Sequence, residues 1–378
     1  MPTHLVNLDA LIQREDFEVS DDSASLGNDP LFKVEELHRT KLYYSVLRKP
    51  DFQRETACWR PEMLADFIES FLDDKLIPSI IIWHSKETGK VFIIDGSHRV
   101  SALIAWVNDD YGDGEISRQF YGHNIPNEQK KLHADTRALI ESRVGTYLAL
   151  HAICLQPDTT SEPVKIRRAR AIATRQLHIQ KIDGDAIVAE DSFYKINGNP
   201  VMIDPTELDV IRARKKPNAI AARALIRGGT GYKYWKKFPA KGKEIEATAK
   251  AAYELVFGQI VEIGSQSPDV PRAGQPYSHE AFKMVLDMVN IFNNITPSMW
   301  EHSLTSKKVT PKKKNSKSDV PTELQNDTDV SATLKFLERI TNVGRLVLSH
   351  NYSGSLGLDQ AVYAYGATGK LHHAAFLA

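Results

Sequence analysis

The segment with the clearest chemical potential is a five-residue run, Asp95-Gly96-Ser97-His98-Arg99. Gly96 allows a sharp turn and a close approach to the backbone, while Ser97 and the Arg99 guanidinium can donate hydrogen bonds to phosphate oxygens. Asp95 can hold Mg²⁺ or orient a water molecule, and His98 can donate a hydrogen bond or transfer a proton. The run therefore predicts an anion-binding turn. A purely structural helix cap, in which Asp95 pairs with Arg99, explains the same residues.

Hydrophobic segments on both sides of this run predict how it is positioned. Ile80–Trp83 and Val91–Ile94 are β-branched runs joined by a polar turn, which is typical of a hairpin. Pro61–Leu72 has the periodicity of an amphipathic helix, with a proline in its first turn. Val100–Val107 predicts a buried helix that begins just after the strand. The start of such a helix offers free N–H groups and a favourable dipole to an anion.

The run resembles the DGQHR or DGQQR motif of the ParB/sulfiredoxin-like superfamily, which includes DndB-type DNA-modification proteins and GmrSD-type restriction proteins. Upstream, Asp51-Phe52-Gln53-Arg54 is similar to the FQR element of that superfamily, and Leu76-Ile77-Pro78 is similar to its I-P element. Position 97 is Ser where the motif usually has Gln, and His98 is the residue of the DGQHR form. The resemblance covers residues 51–106 and favours a DndB-like protein.

The resemblance implies a fold, a site and a ligand. The fold class is α+β, with a ParB/sulfiredoxin-like domain and its small mixed sheet over residues 1–122, followed by a mostly helical, basic domain over residues 123–378. The implied ligand is ATP or GTP with Mg²⁺. The implied nucleotide-binding residues are Gln53, Arg54, Gly96, Ser97, His98 and Arg99. The implied catalytic residues are Asp95, His98, Arg99 and Arg54, with Asp95 also the metal ligand.

Hydrophobic periodicity supports the helical character of the second part. The predicted helices are Asn127–Ala152, Val164–Gln176, Glu244–Phe257, Glu280–Asn293 and Ser331–Leu348. Strands are expected only near the two ends of the chain, in the first third and around Gln360–Phe376. A lysine-rich loop is predicted at 305–329, since Lys307–Lys317 holds six lysines and no acidic residue.

Charge is unevenly distributed, although the whole chain holds 48 Lys and Arg against 48 Asp and Glu. Residues 50–120 hold seven basic and 13 acidic residues, a net charge of −6, whereas residues 161–243 hold 18 and eight, a net charge of +10. The basic excess predicts an anionic partner. Solvated helix faces are the alternative explanation.

Candidate nucleic-acid-binding residues lie within the basic part. They are Arg167, Arg168, Arg170, Lys233, Trp235, Lys236 and Lys237. The last four belong to Arg227–Phe238, which mixes three glycines, four aromatic residues and three lysines. Its rings could stack on bases while its lysines contact phosphates. A glycine-rich turn that leads into an aromatic core segment is the alternative.

The remaining features point to a reducing cytoplasm and to no membrane association. Two cysteines, Cys58 and Cys154, exclude a disulfide framework and a cysteine-rich zinc site. The apolar stretch Ile80–Trp83 is far shorter than the roughly 20 residues of a membrane span. No HNH-like pairing of Cys or His is present in the sequence, which weighs against a self-contained restriction nuclease.

The sequence therefore predicts a cytoplasmic NTP-binding and NTP-hydrolysing protein that acts with a bacterial DNA-modification or phage-defence system. Its predicted partners are DNA, contacted through the basic C-terminal half, and modification or defence proteins encoded nearby; homo-oligomerisation is left open. Two alternatives stay open as well. One is a metal-dependent DNA nuclease of the ParB/GmrSD type, and the other is a non-enzymatic DNA-binding regulator.

Overall fold

The computed structural model describes most of the chain, and the chain divides into two compact units. The N-terminal unit comprises Pro2–Ile203, and the C-terminal unit comprises Asp204–Ala273 and Tyr277–Ala378. The described residues are 4–15, 17, 31–53, 55–85, 88–122, 125–184, 186–197, 205–258, 279–304, 323–348 and 353–358.

A mixed sheet of six short strands forms the centre of the N-terminal unit. In chain order the strands are β1 (Arg14–Glu15), β2 (Leu31–Lys33), β3 (Leu47–Pro50), β4 (Ile80–His84), β5 (Val91–Asp95) and β6 (Gln176–Lys181). Their order in the sheet is β1-β3-β5-β4-β6-β2. The β4–β5 pair is the predicted antiparallel hairpin, whereas β3–β5 and β4–β6 are parallel pairs.

Eight helices accompany this sheet in the described part of the unit. They are α1 (Leu42–Val46), α2 (Pro61–Leu72), α3 (Ser97–Asn108), α4 (Glu115–Tyr121), α5 (Asn127–Arg143), α6 (Tyr147–Leu155), α7 (Pro163–Thr174) and α8 (Ala186–Asn197). Helix α2 has the predicted bounds, and its apolar stripe, Leu64, Ala65, Ile68, Phe71 and Leu72, is buried. Helix α3 is apolar on nearly every side and is buried accordingly. Both helices therefore contribute to the same hydrophobic core as β4 and β5.

The boundary predicted at 122/123 falls inside the N-terminal unit. Strand β6, which lies beyond that boundary, pairs with β4 over Ile80–Ile82 and completes the sheet. The sequence prediction continued the preceding helix to Gln176, but α7 ends at Thr174 and β6 begins at Gln176. Along the chain, the division between the two compact units falls between residues 203 and 204.

One stretch, 127–155, is long and apolar enough by length and composition to cross a membrane. It is not one helix, because α5 ends at Arg143 and α6 begins at Tyr147, with Gly145 between them at φ +98°. Side chains from both helices, including Ile140 and Leu150, pack into the core of the unit. Part of this stretch thus serves as core packing, and the single predicted helix Asn127–Ala152 is corrected to two.

Helices are the only regular secondary structure in the described part of the C-terminal unit. Its helices are α9 (Pro205–Arg212), α10 (Pro217–Ile226), α11 (Pro239–Phe257), α12 (His279–Phe292), α13 (Pro297–Leu304) and α14 (Ser331–Leu348). Helix α10 is almost wholly buried, and α11, α12 and α14 pack around it. The α+β class with a mainly helical C-terminal part is therefore confirmed. The strands predicted at Gln360–Phe376 and most of the lysine-rich loop lie outside the described residues.

Candidate functional site

The predicted anion-binding run forms a strand–turn–helix. Strand β5 ends at Asp95, Gly96 adopts the left-handed conformation with φ +96°, and α3 begins at Ser97. A Cβ atom at position 96 would lie 2.6 Å from Cδ1 of Ile80. Only glycine fits this turn without strain, since both the backbone angle and the neighbouring side chain disfavour any larger residue. No side chain caps the start of α3, so its N-terminus keeps the electrostatic character that favours an anion.

A buried clamp holds the turn from behind. The Ser97 hydroxyl donates to Gln53 Oε1 over 2.6 Å, and Gln53 Nε2 donates to the carbonyl oxygens of Ile93 and Ile94, each at 3.0 Å. Gln53 is 7 % exposed, and these bonds engage both ends of its amide. The sequence predicted Gln53 and Ser97 as nucleotide-binding residues. In this arrangement their side chains hydrogen-bond to each other and to the end of β5, and thereby position the start of α3.

An ion-pair cluster in turn fixes the segment around Gln53. The Asp9 carboxylate accepts hydrogen bonds from Arg14, from Lys49 Nζ at 2.7 Å and from the Thr56 N–H at 2.9 Å. Burial alone would raise the pKa of Asp9, but Arg14 and Lys49 outweigh it and hold that pKa well below its ordinary value. Arg14 Nη2 also donates to the carbonyl oxygen of Gln53 over 3.1 Å. The cluster therefore connects residues 9–14, the N-terminal arm, to the clamp formed by Gln53 and Ser97.

Arg99 and Asp95 form an ion pair across the turn. Arg99 Nη2 lies 2.6 Å from Asp95 Oδ2, four residues earlier, and Arg99 Nη1 donates to the carbonyl oxygens of Pro78 and Ser79 at 2.7 and 3.2 Å. The side chains are 15 % and 33 % exposed for Arg99 and Asp95, so both stay accessible at the surface. The structural explanation weighed above, an Asp95–Arg99 pair, is thus present. The pair holds the guanidinium beside the start of α3, with its charge partly neutralised by Asp95.

His98 lies between two residues that the sequence did not single out as site residues. Its Nε2 atom is 2.8 Å from Sγ of Cys58, an exposed residue. Its ring stacks on that of Trp59 with centroids 5.8 Å apart and an angle of 29° between the planes. Forty residues separate Cys58 from His98, and no spacing rule relates them. The arrangement fixes the imidazole at the exposed end of the turn.

Asp95 is the side chain that fits the predicted Mg²⁺. Its Oδ2 atom is engaged by Arg99, while Oδ1 has no hydrogen-bond partner among the described residues. Mg²⁺ in nucleotide sites is commonly bound by one or two carboxylates together with substrate phosphates. One carboxylate oxygen without a described hydrogen bond, close to the start of α3, is compatible with that requirement. Arg54, the other predicted catalytic residue, lies outside the described residues.

The predicted nucleic-acid-binding arginines of α7 differ in their surroundings. Arg168 is 8 % exposed; its Nη2 atom lies 2.8 Å from Glu69 Oε1 and its Nε atom 3.0 Å from Asp73 Oδ1. Hydrogen bonds from Arg168 and Arg167 hold the pKa of Asp73 below its ordinary value. Arg168 is therefore a buried structural residue, and its prediction as a DNA contact is corrected. Arg167 and Arg170 are exposed.

The glycine-rich segment Arg227–Phe238 begins with the C-terminal cap of helix α10. The N–H groups of Gly228 and Gly229 donate to the carbonyl oxygens of Leu225 and Ala224, each at 2.9 Å, which is the Schellman pattern that ends α10. Trp235 is 1 % exposed and belongs to the core of the C-terminal unit. Its ring is therefore not available to stack on bases, and that prediction is corrected.

The three lysines of this segment remain at the surface. Lys233 Nζ lies 2.5 Å from Glu246 Oε2, so its charge is partly neutralised. Lys236 and Lys237 are exposed. Their side chains therefore place two positive charges at the surface of the C-terminal unit.

The part of the chain that contains the turn is similar to a known protein family. Residues 34–212 match the family model of the GmrSD restriction endonuclease, N-terminal domain. The matched range spans just under half of the 378 residues and includes β3, β4, β5, β6 and the turn. This part of the chain is similar to the N-terminal domain of a restriction endonuclease, which supports the GmrSD-like resemblance. The comparison found no match among curated proteins or among solved structures.

Proposed function

We propose that the N-terminal unit binds the phosphates of ATP or GTP at the turn 95–99 and hydrolyses the nucleotide, as part of a bacterial restriction-type defence or DNA-modification system. The observation that carries this proposal is the uncapped start of α3 behind Gly96, flanked by the side chains of His98 and Arg99. A glycine turn that leads into a helix start is a recurrent binding site for phosphate groups. The similarity to a restriction endonuclease domain supports the defence context.

The residues of the turn take distinct roles in this proposal. The backbone of Ser97 and its neighbours receives the phosphates, while the Arg99 guanidinium stabilises negative charge that develops on the transferred phosphoryl group. Arg54 is proposed to assist Arg99. His98 donates a hydrogen bond to a phosphate oxygen, and Asp95 orients the attacking water. Mg²⁺, when bound at Asp95 and the phosphates, would supply neutralising charge.

Replacement of Arg99 tests the catalytic proposal. Arg99→Ala in the full chain should reduce phosphate release from ATP or GTP by roughly 100-fold or more, because one donor to the transition state is usually worth that much. Arg118→Ala is the matched control, since Arg118 is an exposed arginine of the same unit whose guanidinium donates to the Asp113 carbonyl. Unchanged turnover in Arg99→Ala would sink the assignment, whatever the control shows.

The match to a restriction endonuclease domain favours a second candidate, a metal-dependent DNA nuclease that uses the same turn. It predicts nicking of plasmid DNA by the purified protein, with loss of nicking in Asp95→Ala. A third candidate, a DNA-binding regulator, predicts salt-dependent DNA binding that Asp95→Ala leaves unchanged and no turnover of either substrate. Phosphate release, plasmid nicking and DNA binding measured together therefore separate the three proposals.

The proposed setting follows from the same reasoning. We propose DNA as the macromolecular partner, together with modification or defence proteins encoded nearby, and a cytoplasmic location. The exposed basic side chains Lys236 and Lys237 are proposed contacts to the DNA backbone. Self-association of the chain is left to measurement.

A further inference from the structure

A second basic site lies on the N-terminal unit, along one face of α7. A groove of about 840 Å³ runs between this face and the segment that follows α2. Pro163, Ile166, Arg167, Arg170, Ala171 and Thr174 line it from the helix. Their spacing of three and four residues makes the lining one continuous stripe, so the groove extends over the roughly 18 Å length of a 12-residue helix. It continues to Arg175, Gln176 and His178.

Positive charge exceeds negative charge around this groove. Two carboxylates line it, Asp73 and Asp74, against three guanidinium groups. Arg175 pairs with Asp74, and Asp73 is held by both Arg167 and Arg168. Arg170 makes no ion pair with any residue that the structure describes. The groove therefore retains a positive charge after its own acidic residues are neutralised.

Arg167 can exchange its partner at little cost. Its side chain is 61 % exposed, and its only described ion pair is the 2.9 Å contact with Asp73. If Arg167 turns towards a phosphate, Asp73 keeps the buried Arg168 as its partner, so no carboxylate is left unpaired. Arg167 and Arg170 lie about one helical turn apart, which presents two guanidinium groups in a row along the groove.

We propose that this groove binds the phosphate backbone of double-stranded DNA. The proposal rests on the proposed function only for the identity of the partner as DNA. The extended row of charges suits a linear polyanion better than a single small anion. Apart from His178 the lining has no aromatic ring, so it offers no platform on which the bases of a single strand could stack. Backbone contacts position a duplex without reading its sequence, and binding should be sequence-independent and strongly dependent on salt.

The test measures binding of a labelled 25-base-pair DNA duplex to the whole chain. Fluorescence anisotropy reports the affinity at several salt concentrations. Arg170→Ala should weaken binding about three- to tenfold and reduce the slope of log affinity against log salt by about one. Arg167→Ala/Arg170→Ala should lower both further. Arg170→Lys, which keeps the charge, should restore most of the affinity.

Lys165→Ala is the matched control. Lys165 lies on the same helix, is exposed, pairs with Glu162 at 2.6 Å and does not line the groove. Its replacement should leave duplex affinity and salt slope unchanged. Equal affinity and slope in the wild type and the double variant would overturn the proposal, as would tighter binding of a single strand of the same sequence than of the duplex.

Nucleotide turnover separates this proposal from the proposed function. Arg170→Ala should leave phosphate release unchanged when no DNA is present, whereas Arg99→Ala should leave duplex affinity unchanged. Unchanged duplex affinity in the groove variants would therefore contradict the groove proposal alone, and unchanged phosphate release in Arg99→Ala would contradict the turn proposal alone.

Discussion

Each unit has a glycine-containing turn next to a helix, but one turn precedes its helix and the other follows its helix. Gly96 precedes α3, and no side chain caps the helix that it introduces. Gly228 and Gly229 follow α10, and their N–H groups are used to satisfy the carbonyl groups at its end. A helix start offers N–H donors, whereas a helix end offers carbonyl oxygens. Glycine content alone therefore does not predict a phosphate site; the position of the glycines relative to the helix does.

The two units also differ in what they bury. The N-terminal unit buries ionisable groups, among them Asp9, Lys49, Asp110 and His133. In the described core of the C-terminal unit, the residues packed around α10 are almost all aliphatic or aromatic, and Arg227 is its buried charged residue. Buried ionisable groups make the stability of a unit depend on pH. The comparison therefore predicts that acid destabilises the N-terminal unit more than the C-terminal unit.

The largest expected effect lies in the C-terminal unit. Trp235→Ala should lower the free energy of unfolding by about 3–5 kcal/mol, the usual cost when a fully buried large aromatic residue is removed. Lys236→Ala, one residue further along and exposed, should change it by less than about 0.5 kcal/mol. Thermal and urea unfolding of both variants measure this. A native-like Trp235→Ala variant with weakened DNA binding would instead return Trp235 to the DNA interface.

The next effect should come from acid and act on the N-terminal unit. Burial lowers the pKa of His133 to about 4, from an ordinary value of 6.5 in the unfolded chain. Between pH 6.5 and 4 the unfolded chain binds this proton and the folded chain does not, so stability falls as the pH drops through that range. The loss approaches roughly 3 kcal/mol at pH 4, since one pKa unit corresponds to about 1.4 kcal/mol.

Unfolding followed from pH 7 to pH 4 tests this expectation. His133→Asn should flatten the dependence of the unfolding free energy on pH between 6.5 and 4, even if it lowers stability at every pH. Below pH 3.8, protonation of Asp9 should remove further stability, because its pKa in the folded protein lies below the ordinary value. An equally steep dependence in His133→Asn would place the responsible group elsewhere.

The smallest expected effect is a difference between the two glycine turns when each glycine is replaced by alanine. Gly96→Ala and Gly229→Ala should each cost about 2–3 kcal/mol, because both positions have a positive φ and a Cβ would lie 2.6 Å from a neighbouring atom. The two variants should differ in nucleotide binding. Gly96→Ala should weaken it further than Gly229→Ala, measured by isothermal titration with a non-hydrolysable ATP or GTP analogue. Equal losses in the two variants would remove the distinction between a helix start and a helix end.

Elements with clear hydrophobic periodicity were predictable from the sequence. The helices Pro61–Leu72 and Ser331–Leu348 have the predicted bounds, and the hairpin differs by one residue at each of its strands. Helix α10 was missed because it is rich in alanine and buried on every side, so it has no polar face to give a period. Strand β6 was missed because its pairing with β4 joins residues about 100 positions apart.

The site was predictable only in part, for a similar reason. The five residues of the turn and the Asp95–Arg99 pair follow from local sequence. The role of Gln53 does not, because its partners Ile93, Ile94 and Ser97 lie more than 39 positions away. The burial of Arg168 and Trp235 likewise depends on Glu69, Asp73 and the helical core rather than on their own composition.

The buried cluster around Asp9 makes the geometry of the turn depend on residues that lie far away in the sequence. Asp9 and Arg14 hold Lys49 and Gln53, and Gln53 holds Ser97, so the chain of contacts spans almost 90 positions of sequence. Contacts between distant positions form late, after the entropy of closing long loops has been overcome. We therefore expect the turn to reach its final geometry only after residues 9–14 have packed against Lys49 and Gln53. Deletion of the first 15 residues would leave Lys49 buried without its counter-ion and would disorganise a turn that lies 80 positions further along the chain.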